Sequence, residues 1–258
     1  MFDLTGKVAL VVGGAGYLMM PACKGLAEHG AAVVVADVAD DKVQQAVAEI
    51  QAAVPGARVT GAVLNACDEA AVRRVVDDAV NRYGGLHITV CATYRSVGKY
   101  VEEITVEEFA AAVSGNLVDA LVLSRESARV MGPGGSIVLI SSMYGQVAPD
   151  PRVYIPPMKP NPIEYGVAKA GIIQMAKYLS AYWGAKGIRV NAVSPGPFPH
   201  PQTQQEEPEF ITRLAAKTTL GRIGRQDEIA GAVLYLASDD ASYVTGETIA
   251  VNGGWTAW

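Results

Sequence analysis

The chain has 258 residues, of which half are hydrophobic and 18% are charged, and its formal net charge is −5. Such a composition supports a sizeable buried core. A negative balance without a basic cluster argues against nucleic acid and anionic membrane surfaces as main partners. Three scattered cysteines and three scattered histidines predict neither a disulfide framework nor a metal site. With no evident secretory signal or membrane span, a cytoplasmic protein is expected.

Short apolar runs alternate with helical patterns along the whole chain. Seven runs are predicted to be strands, over about 8–12, 32–36, 59–64, 88–91, 136–140, 188–193 and 248–251. The main helices are predicted over about 18–27, 40–53, 68–83, 106–130, 165–183 and 227–237. This alternation predicts an α/β fold with a doubly wound, mostly parallel sheet and helices on both faces. No linker or repeat divides the series, so residues 1–258 are expected to form a single domain.

Two segments depart from this alternation. Six prolines crowd between positions 149 and 162, so the stretch 148–163 is predicted to be an exposed loop rather than a helix or a central strand. The stretch 197–216 begins with prolines, glutamines and glutamates, which predict a mobile surface segment.

A glycine-rich turn at 13–16 lies between the first strand and the first helix. Such a turn exposes backbone N–H groups at a helix N-terminus, the usual site of the pyrophosphate in dinucleotide folds. Asp37 ends the second strand, where a carboxylate accepts the ribose hydroxyls and repels a 2′-phosphate. Because no arginine or lysine follows Gly13 closely, NAD is favoured over NADP. A plain βα turn with a capping aspartate is the alternative interpretation.

A phenol and an amine stand four residues apart at Tyr165 and Lys169, and this spacing places them on one face of a helix. A protonated lysine beside a phenol lowers the pKa of the phenol, so Tyr165 is predicted to exchange protons near neutral pH. Ser142 lies upstream, and its hydroxyl is a candidate to hold a substrate oxygen. Tyr154 is a rival phenol, but Met158 rather than a lysine lies four residues after it.

Several motifs stand in the order of a known family. They include the turn at 13–19, Asn116, Ser142, Tyr165-Gly-Val-Ala-Lys169 and Arg189-Val-Asn-Ala-Val-Ser-Pro-Gly196. The longest match is the C-terminal block, namely Gly221-Arg-Ile-Gly224, Glu228-Ile-Ala230, Leu236-Ala-Ser-Asp239, Tyr243-Val-Thr-Gly246 and Asn252-Gly-Gly254. Over nearly its whole length the chain resembles the short-chain dehydrogenase/reductases. The resemblance implies a Rossmann-type fold and an NAD(P)-dependent oxidoreductase. Its reaction would interconvert a secondary alcohol and a ketone on a small polar substrate, with sugars, polyols and hydroxy acids preferred.

The resemblance also implies a role for individual residues. Tyr165 would be the general acid/base, Lys169 would lower its pKa and bind the nicotinamide ribose, and Ser142 would orient the substrate oxygen. Asn116 would hold a water of the proton relay. The cofactor would contact Gly13, Tyr17, Leu18, Asp37, Asn65, Ala66, Ala92, Tyr165, Lys169, Pro195, Gly196 and Phe198.

Three residues replace glycines of the family pattern, and they keep other functions open. Tyr17 and Met19 lie in the turn, and Tyr94 follows the fourth strand. Their bulk beside the cofactor favours a second interpretation, in which the chain is a non-catalytic nucleotide-binding sensor or a partner-binding protein. The sequence Gly13-Gly-Ala-Gly-Tyr17 suggests a third, an epimerase or dehydratase that holds NAD tightly.

The resemblance finally implies lids and subunits. The insertion 148–163 is expected to shape or cover the substrate pocket, and the lid-like segment 197–216, which carries His200, is expected to close over the substrate. Because family members are commonly oligomeric, a homotetramer or homodimer is expected. Trp255 and Trp258 are expected to lie in a contact between subunits.

Overall fold

A computed structural model describes all 258 residues and contains one seven-stranded sheet. Its strands are β1 (Val8–Val12), β2 (Ala32–Asp37), β3 (Val59–Val63), β4 (Ile88–Cys91), β5 (Ser136–Ile140), β6 (Arg189–Pro195) and β7 (Thr248–Val251). They lie in the order β3-β2-β1-β4-β5-β6-β7, and every neighbouring pair is parallel. The predicted α/β fold with a seven-stranded parallel sheet is therefore confirmed.

Eight α-helices connect and cover the strands. They are α1 (Met20–Glu28), α2 (Asp40–Ala53), α3 (Glu69–Tyr83), α4 (Val106–Val130), α5 (Ile163–Trp183), α6 (Pro201–Glu206), α7 (Pro208–Ala216) and α8 (Ala230–Ala237). Two separate core clusters show how these helices divide between the faces. One cluster joins α1, α2 and α8 to the sheet, and the other joins α3, α4 and α5. The sheet is thus covered on both faces, as the sequence predicted.

The burial of the strands explains why their apolar runs are continuous. Every residue of β1, β4, β5 and β6 is buried, because a central parallel strand with helices on both faces has no solvent side. The edge strands β3 and β7 are only partly buried. No helix of the chain is both long enough and apolar enough to cross a membrane.

The segment 197–216 contains two helices that the sequence analysis did not predict. Pro201 and Pro208 lie in the first turns of α6 and α7. Proline is well suited to the start of a helix, because its fixed φ matches the helix and its missing N–H would have no partner there. The sequence analysis took the prolines of this stretch as a sign of a mobile segment and did not consider that they start helices.

The turns that follow β1, β4, β5 and β6 meet at one edge of the sheet. Strand order reverses between β1 and β4, and this reversal opens a crevice at the carboxyl ends of the strands. The backbone segments that follow β1 and β4 approach each other closely there. Gly13 has a φ of +77°, and a Cβ at this position would lie 2.6 Å from the carbonyl oxygen of Ala92. Glycine is therefore required where β1 leaves the sheet.

Candidate active site

One cavity collects most of the residues predicted to act on the substrate. It has a volume of about 280 Å³, and Ser142, Tyr165 and Lys169 all line it. Residues from the turns of four strands complete its wall, among them Gly13, Leu18, Ala92, Pro195, Gly196 and Phe198. Segments far apart in sequence thus bring a hydroxyl, a phenol and an amine to one place.

A second cavity adjoins the first and collects the residues predicted to hold the adenosine half of a dinucleotide. It has a volume of about 680 Å³ and is lined by Asp37, Asn65 and Ala66. Both cavities share Gly13, Gly16, Ala92, Thr93 and Tyr94. Together they form a groove across the crevice, with Asp37 at one end and Tyr165 at the other.

The second cavity also contains cations that the sequence analysis missed. Lys42, in the first turn of α2, and Arg95, after β4, both line it beside Asp37. The Arg95 guanidinium donates a hydrogen bond to the side-chain oxygen of Asn65 over 3.2 Å. Nothing in the spacing from Gly13 pointed to either residue, since they reach the groove only through the fold.

Tyr165 lies in the first turn of α5, which begins at Ile163. Burial raises the pKa of Tyr165 to about 12, and a hydrogen bond with Ser142 partly opposes this rise. Lys169 lies one turn later, with its Nζ 5.7 Å from the centre of the Tyr165 ring. The helix therefore places the two groups as predicted, on one face and one turn apart.

The predicted electrostatic effect of Lys169 on Tyr165 is not found in the protein alone. Lys169 is only 4% exposed, and burial lowers its own pKa to about 8. Its Nζ donates to the carbonyl oxygens of Ile140, at 2.9 Å, and Thr93, at 3.2 Å. In the protein alone, loss of solvent around both groups dominates, so the pKa of Tyr165 is not lowered. Its lowering by Lys169 during the reaction stays a prediction.

The two serines after β5 have different environments. Ser142 Oγ accepts a hydrogen bond from the backbone N–H of Tyr144 over 3.1 Å, so its own O–H can donate within the cavity, to Tyr165 or to a substrate oxygen. Ser141 Oγ instead donates to the carbonyl oxygen of Lys169 over 2.7 Å. The geometry therefore favours Ser142 over Ser141 as the group that meets a substrate oxygen.

Asn116 does not line the cavity. Its side-chain amide donates to the carbonyl oxygens of Arg95 and Ala112, each over 2.8 Å, and its Oδ1 accepts from the N–H of Arg95 over 3.2 Å. In this structure the side chain anchors the segment after β4 to α4. The Asn116 side chain makes no hydrogen bond to Lys169, and its role in holding a water of the proton relay stays a prediction.

The glycine-rich turn leaves room and donors for a pyrophosphate. The backbone N–H groups of Tyr17 and Leu18 donate no hydrogen bond within the protein, and they immediately precede α1. Met19 is only 2% exposed and belongs to the core between α1 and the sheet. The Tyr17 ring turns towards His200, edge to face at 5.0 Å. Met19 also lines the first cavity, although most of its side chain is packed in the core. The turn keeps two N–H groups without protein acceptors, which suits a pyrophosphate.

Tyr94 is the third of these replacements, and it lies beside the predicted catalytic phenol. Its ring meets that of Tyr165 edge to face, with 5.4 Å between the ring centres. The side chain is 64% exposed. It therefore forms part of the rim of the cavity.

The insertion 148–163 has no strand and joins α5 only at its end, as predicted, but it is not a free surface loop. Val153 is 2% exposed, and its carbonyl oxygen accepts a hydrogen bond from Arg213 Nε over 2.8 Å. Asp150 pairs with Lys217 Nζ at 2.9 Å. Because Arg213 belongs to α7 and Lys217 follows it, the insertion and the predicted lid are tied together.

One further expectation needs correction. Trp255 is 4% exposed within its own chain, where its ring meets that of Tyr144 edge to face. The prediction that Trp255 is buried by a second subunit was therefore wrong. Trp258 is 74% exposed, and its place in a subunit contact stays a prediction. His200, on the predicted lid, starts α6 by accepting the N–H of Gln202 at Nδ1 over 3.3 Å, and its contact with a substrate stays a prediction. It contacts Tyr17 as described above.

Glu164 is a functional candidate that the sequence analysis missed. It precedes Tyr165 and is completely buried. Its Oε1 accepts hydrogen bonds from the N–H of Val97 over 2.8 Å, the hydroxyl of Ser96 over 3.2 Å and the N–H of Gly98 over 3.3 Å. From sequence alone, an acidic residue at the start of a helix indicates only a favourable interaction with the helix dipole.

Comparison with known proteins agrees with this geometry. A family model described as "Enoyl-(Acyl carrier protein) reductase" matches residues 21–256. The chain belongs to the short-chain dehydrogenase/reductase family. This dehydrogenase/reductase is 31% identical to a 3-oxoacyl-[acyl-carrier-protein] reductase of Thermotoga maritima, over 97% of this chain and 98% of the relative. It is 32% identical to a cis-4-hydroxycyclohexanecarboxylate dehydrogenase of Sinomonas cyclohexanicum, over 97% of each.

A solved structure extends the comparison to three dimensions. The short-chain dehydrogenase/reductase of Mycobacterium marinum aligns with a TM-score of 0.86 at 29% identity, covering 100% of this chain and 98% of the other. As a member of this family, the present dehydrogenase/reductase is an oxidoreductase. The family uses NAD or NADP, acts on small molecules and is commonly oligomeric.

Proposed function

We propose that this enzyme is NAD-dependent and interconverts a secondary alcohol and a ketone, with Tyr165 as its acid/base. The observation that carries the proposal is the meeting of Ser142, Tyr165 and Lys169 in one cavity at the carboxyl edge of the sheet. When bound, the nicotinamide dinucleotide accepts or supplies the hydride. The protein then has to orient the substrate oxygen and move one proton to or from it.

These two tasks fall to neighbouring side chains. The O–H of Ser142 donates to the substrate oxygen, while the phenol of Tyr165 exchanges the proton with it. Lys169, held by two backbone carbonyl oxygens, keeps positive charge beside the phenol and favours its ionised form in the reaction. Asn116 keeps the segment that carries Thr93 in place, because it binds both backbone groups of Arg95.

The proposed preference for NAD rests on Asp37. Its carboxylate stands at the end of β2 in the adenosine half of the groove, where it accepts ribose hydroxyls and repels a 2′-phosphate. Lys42 lies in the same cavity and opposes that repulsion. Because Asp37 lies at the end of β2 itself, we expect its repulsion of a 2′-phosphate to outweigh the attraction by Lys42.

For the substrate we propose a small oxygenated secondary alcohol or its ketone. The wall against which Tyr165 packs is apolar and aromatic, and includes Tyr144, Leu214 and Trp255. A polyol or hydroxy acid with a compact carbon frame suits this wall better than a sugar, whose many hydroxyls need partners. The name of the Sinomonas relative, a hydroxycyclohexanecarboxylate dehydrogenase, describes a molecule of this kind. We further propose a cytoplasmic homodimer or homotetramer.

Replacement of Asp37 tests the cofactor preference. Titration of the protein with NADH and NADPH, followed by nicotinamide fluorescence, should show tighter binding of NADH. In Asp37→Ser the ratio of the two dissociation constants should fall by about tenfold or more, because hydrogen bonds to a charged carboxylate are lost and a repulsion is removed. Asp41→Ser, an exposed change at the start of α2, is the matched control and should leave the ratio unchanged.

An unchanged ratio in Asp37→Ser would contradict the cofactor assignment. A screen of secondary alcohols and ketones in the same samples separates the enzyme from its main rival. Tight NADH binding without turnover of any compound would favour the non-catalytic interpretation. The position of Tyr94 against Tyr165 is the feature that favours that rival.

A further inference from the structure

Two phenols meet in the wall beside the proposed catalytic residue. Tyr144 lies in the short turn Met143–Gly145 directly after Ser142, and Tyr154 comes from the insertion. Their hydroxyl oxygens are 2.5 Å apart, and either oxygen is able to donate to the other. Tyr144 is 7% exposed, and Tyr154 is partly buried. The insertion thus places a second tyrosine hydroxyl next to one that is already in the fold.

The Tyr144–Tyr154 pair has two hydroxyl hydrogens, but the hydrogen bond between the two oxygens needs only one of them. Two phenols have two O–H hydrogens, and only one of them fits between the two oxygens. Neither hydroxyl donates to any other acceptor of the protein. Burial raises the pKa of both phenols, so both remain protonated at neutral pH. Whichever way the shared bond points, one O–H hydrogen is left without a protein acceptor.

The spare donor lies close to the proposed catalytic phenol. Both rings belong to a cluster with Met143, Val153, Leu214 and Trp255, and Tyr165 packs against the same cluster. The apolar members of this wall offer no acceptor. A buried donor without a partner is unfavourable, which makes an oxygen atom of a bound molecule a suitable acceptor.

The charge around the pair narrows the kind of oxygen. The nearby cations are already engaged, Arg213 with the carbonyl oxygen of Val153 and Lys217 with the carboxylate of Asp150. Neither cation donates a hydrogen bond to the Tyr144 or Tyr154 hydroxyl. A hydroxyl, carbonyl or ether oxygen suits a phenol donor in an apolar wall.

We propose that Tyr144 and Tyr154 form a binding site for a second, uncharged oxygen of the substrate, separate from the oxygen at Tyr165. The inference rests on the proposed function. The substrate is then a compact secondary alcohol or ketone with an apolar frame and one further oxygen. The insertion contributes to specificity by supplying Tyr154, and it does so as a fixed part of the pocket rather than only as a cover.

Matched alcohols test this site. The probes are cyclohexanol and the isomeric cyclohexanediols, and the measurement is kcat/KM for their oxidation with NAD. In the wild type at least one diol should exceed cyclohexanol by about tenfold, the effect of one good hydrogen bond in a buried site. In Tyr144→Phe/Tyr154→Phe this ratio should fall close to one, mainly through KM. Because both probes share the ring, a merely structural loss would lower both values and leave the ratio unchanged.

The single variants and a control complete the experiment. Tyr154→Phe and Tyr144→Phe each retain one hydroxyl and should give intermediate ratios, which keeps the test usable if the double variant is unstable. Tyr243→Phe removes a fully exposed hydroxyl and should keep the wild-type ratio. A wild type that prefers no diol, or that turns none over, overturns the inference, as does a double variant that retains the preference. If NADH binding fails as well, the proposed function falls with it; if cyclohexanol is still oxidised, only the second site falls.

Discussion

Tyr165 and Lys169 show what a four-residue spacing predicts and what it leaves open. The spacing correctly placed the phenol and the amine on one face of α5, one turn apart. It did not predict that both groups are buried, or that the amine bonds to the carbonyl oxygens of Ile140 and Thr93. Those acceptors come from β5 and the turn after β4, so their effect on Lys169 depends on the tertiary structure. The direction of both pKa shifts follows from that burial.

The buried amine makes a prediction about stability and pH. The pKa of Lys169 is about 8 in the folded chain against an ordinary 10.5, so between these values the unfolded state binds more protons. The free energy of unfolding therefore rises with pH across this window, and Lys169 contributes up to roughly 3 kcal/mol of that rise. Denaturant unfolding of the wild type and Lys169→Met, from neutral pH to above pH 10, measures the difference.

Other groups that titrate in this range are present in both proteins, so they contribute equally to the two free energies of unfolding and drop out of the difference. The variant's loss of two hydrogen bonds shifts the curve by the same amount at every pH, so only the slope reports on the amine. The wild type should gain stability relative to Lys169→Met as the pH rises. If the two curves of unfolding free energy against pH run parallel, the pKa of Lys169 is not lowered by folding, and the prediction is wrong.

At the scale of elements, prediction succeeded where one local signal decided the structure. The apolar runs of β1 and β5 stop at turn residues, and both strands have the predicted bounds. The helix predicted from residue 68 begins with an aspartate cap, because the Oδ1 of Asp68 accepts the N–H of Ala71 over 3.0 Å. Prediction failed in the prolines of α6 and α7, because the same residue both breaks a helix interior and starts a helix.

The segment after β4 depends on contacts that no local pattern reveals. Thr93 O accepts from Lys169, Arg95 binds Asn116, and residues 96–98 bind the carboxylate of Glu164. All three partners lie on α4 or α5. We therefore expect Glu164 to position this segment, and with it Tyr94, beside Tyr165.

Replacement of Glu164 tests this anchoring. In Glu164→Gln the carboxylate loses its charge, and hydrogen bonds from backbone N–H groups to a charged acceptor are stronger than those to a neutral one. The amides of Val97 and Gly98 should exchange hydrogen about fivefold faster, which corresponds to about 1 kcal/mol of lost protection. Glu102→Gln, an exposed change in the same segment, should leave these rates unaltered. Equal exchange in wild type and Glu164→Gln would remove Glu164 from this role.

Across the whole molecule, the parallel sheet accounts for how much of the site was readable from sequence. Every turn that follows a parallel strand reaches the same edge, so Gly13, Ala92, Ser142 and Gly196 were expected to converge, and they do. The cluster beside Tyr165 was not readable in the same way. It joins the insertion, α7 and Trp255, and a hydrogen bond between residues 60 positions apart, Arg213 and Val153, holds two of these parts together.

The whole-molecule view also bears on whether the groove serves catalysis. Met19 lies in the core, and the cavities at Asp37 and Tyr165 adjoin. A dinucleotide bound along this groove would place its reacting end beside Ser142 and Tyr165. The enzyme interpretation therefore depends on Tyr165 more than on any other residue.

The most direct test compares NAD-dependent turnover by the wild type and by Tyr165→Phe on the same alcohol. The variant loses only the hydroxyl that exchanges the proton, so kcat should fall by about a hundredfold or more. Circular dichroism and NADH fluorescence should show that the variant is folded and still binds the dinucleotide. Turnover in Tyr165→Phe within about tenfold of the wild type would contradict the account, because another group would then have to move the proton.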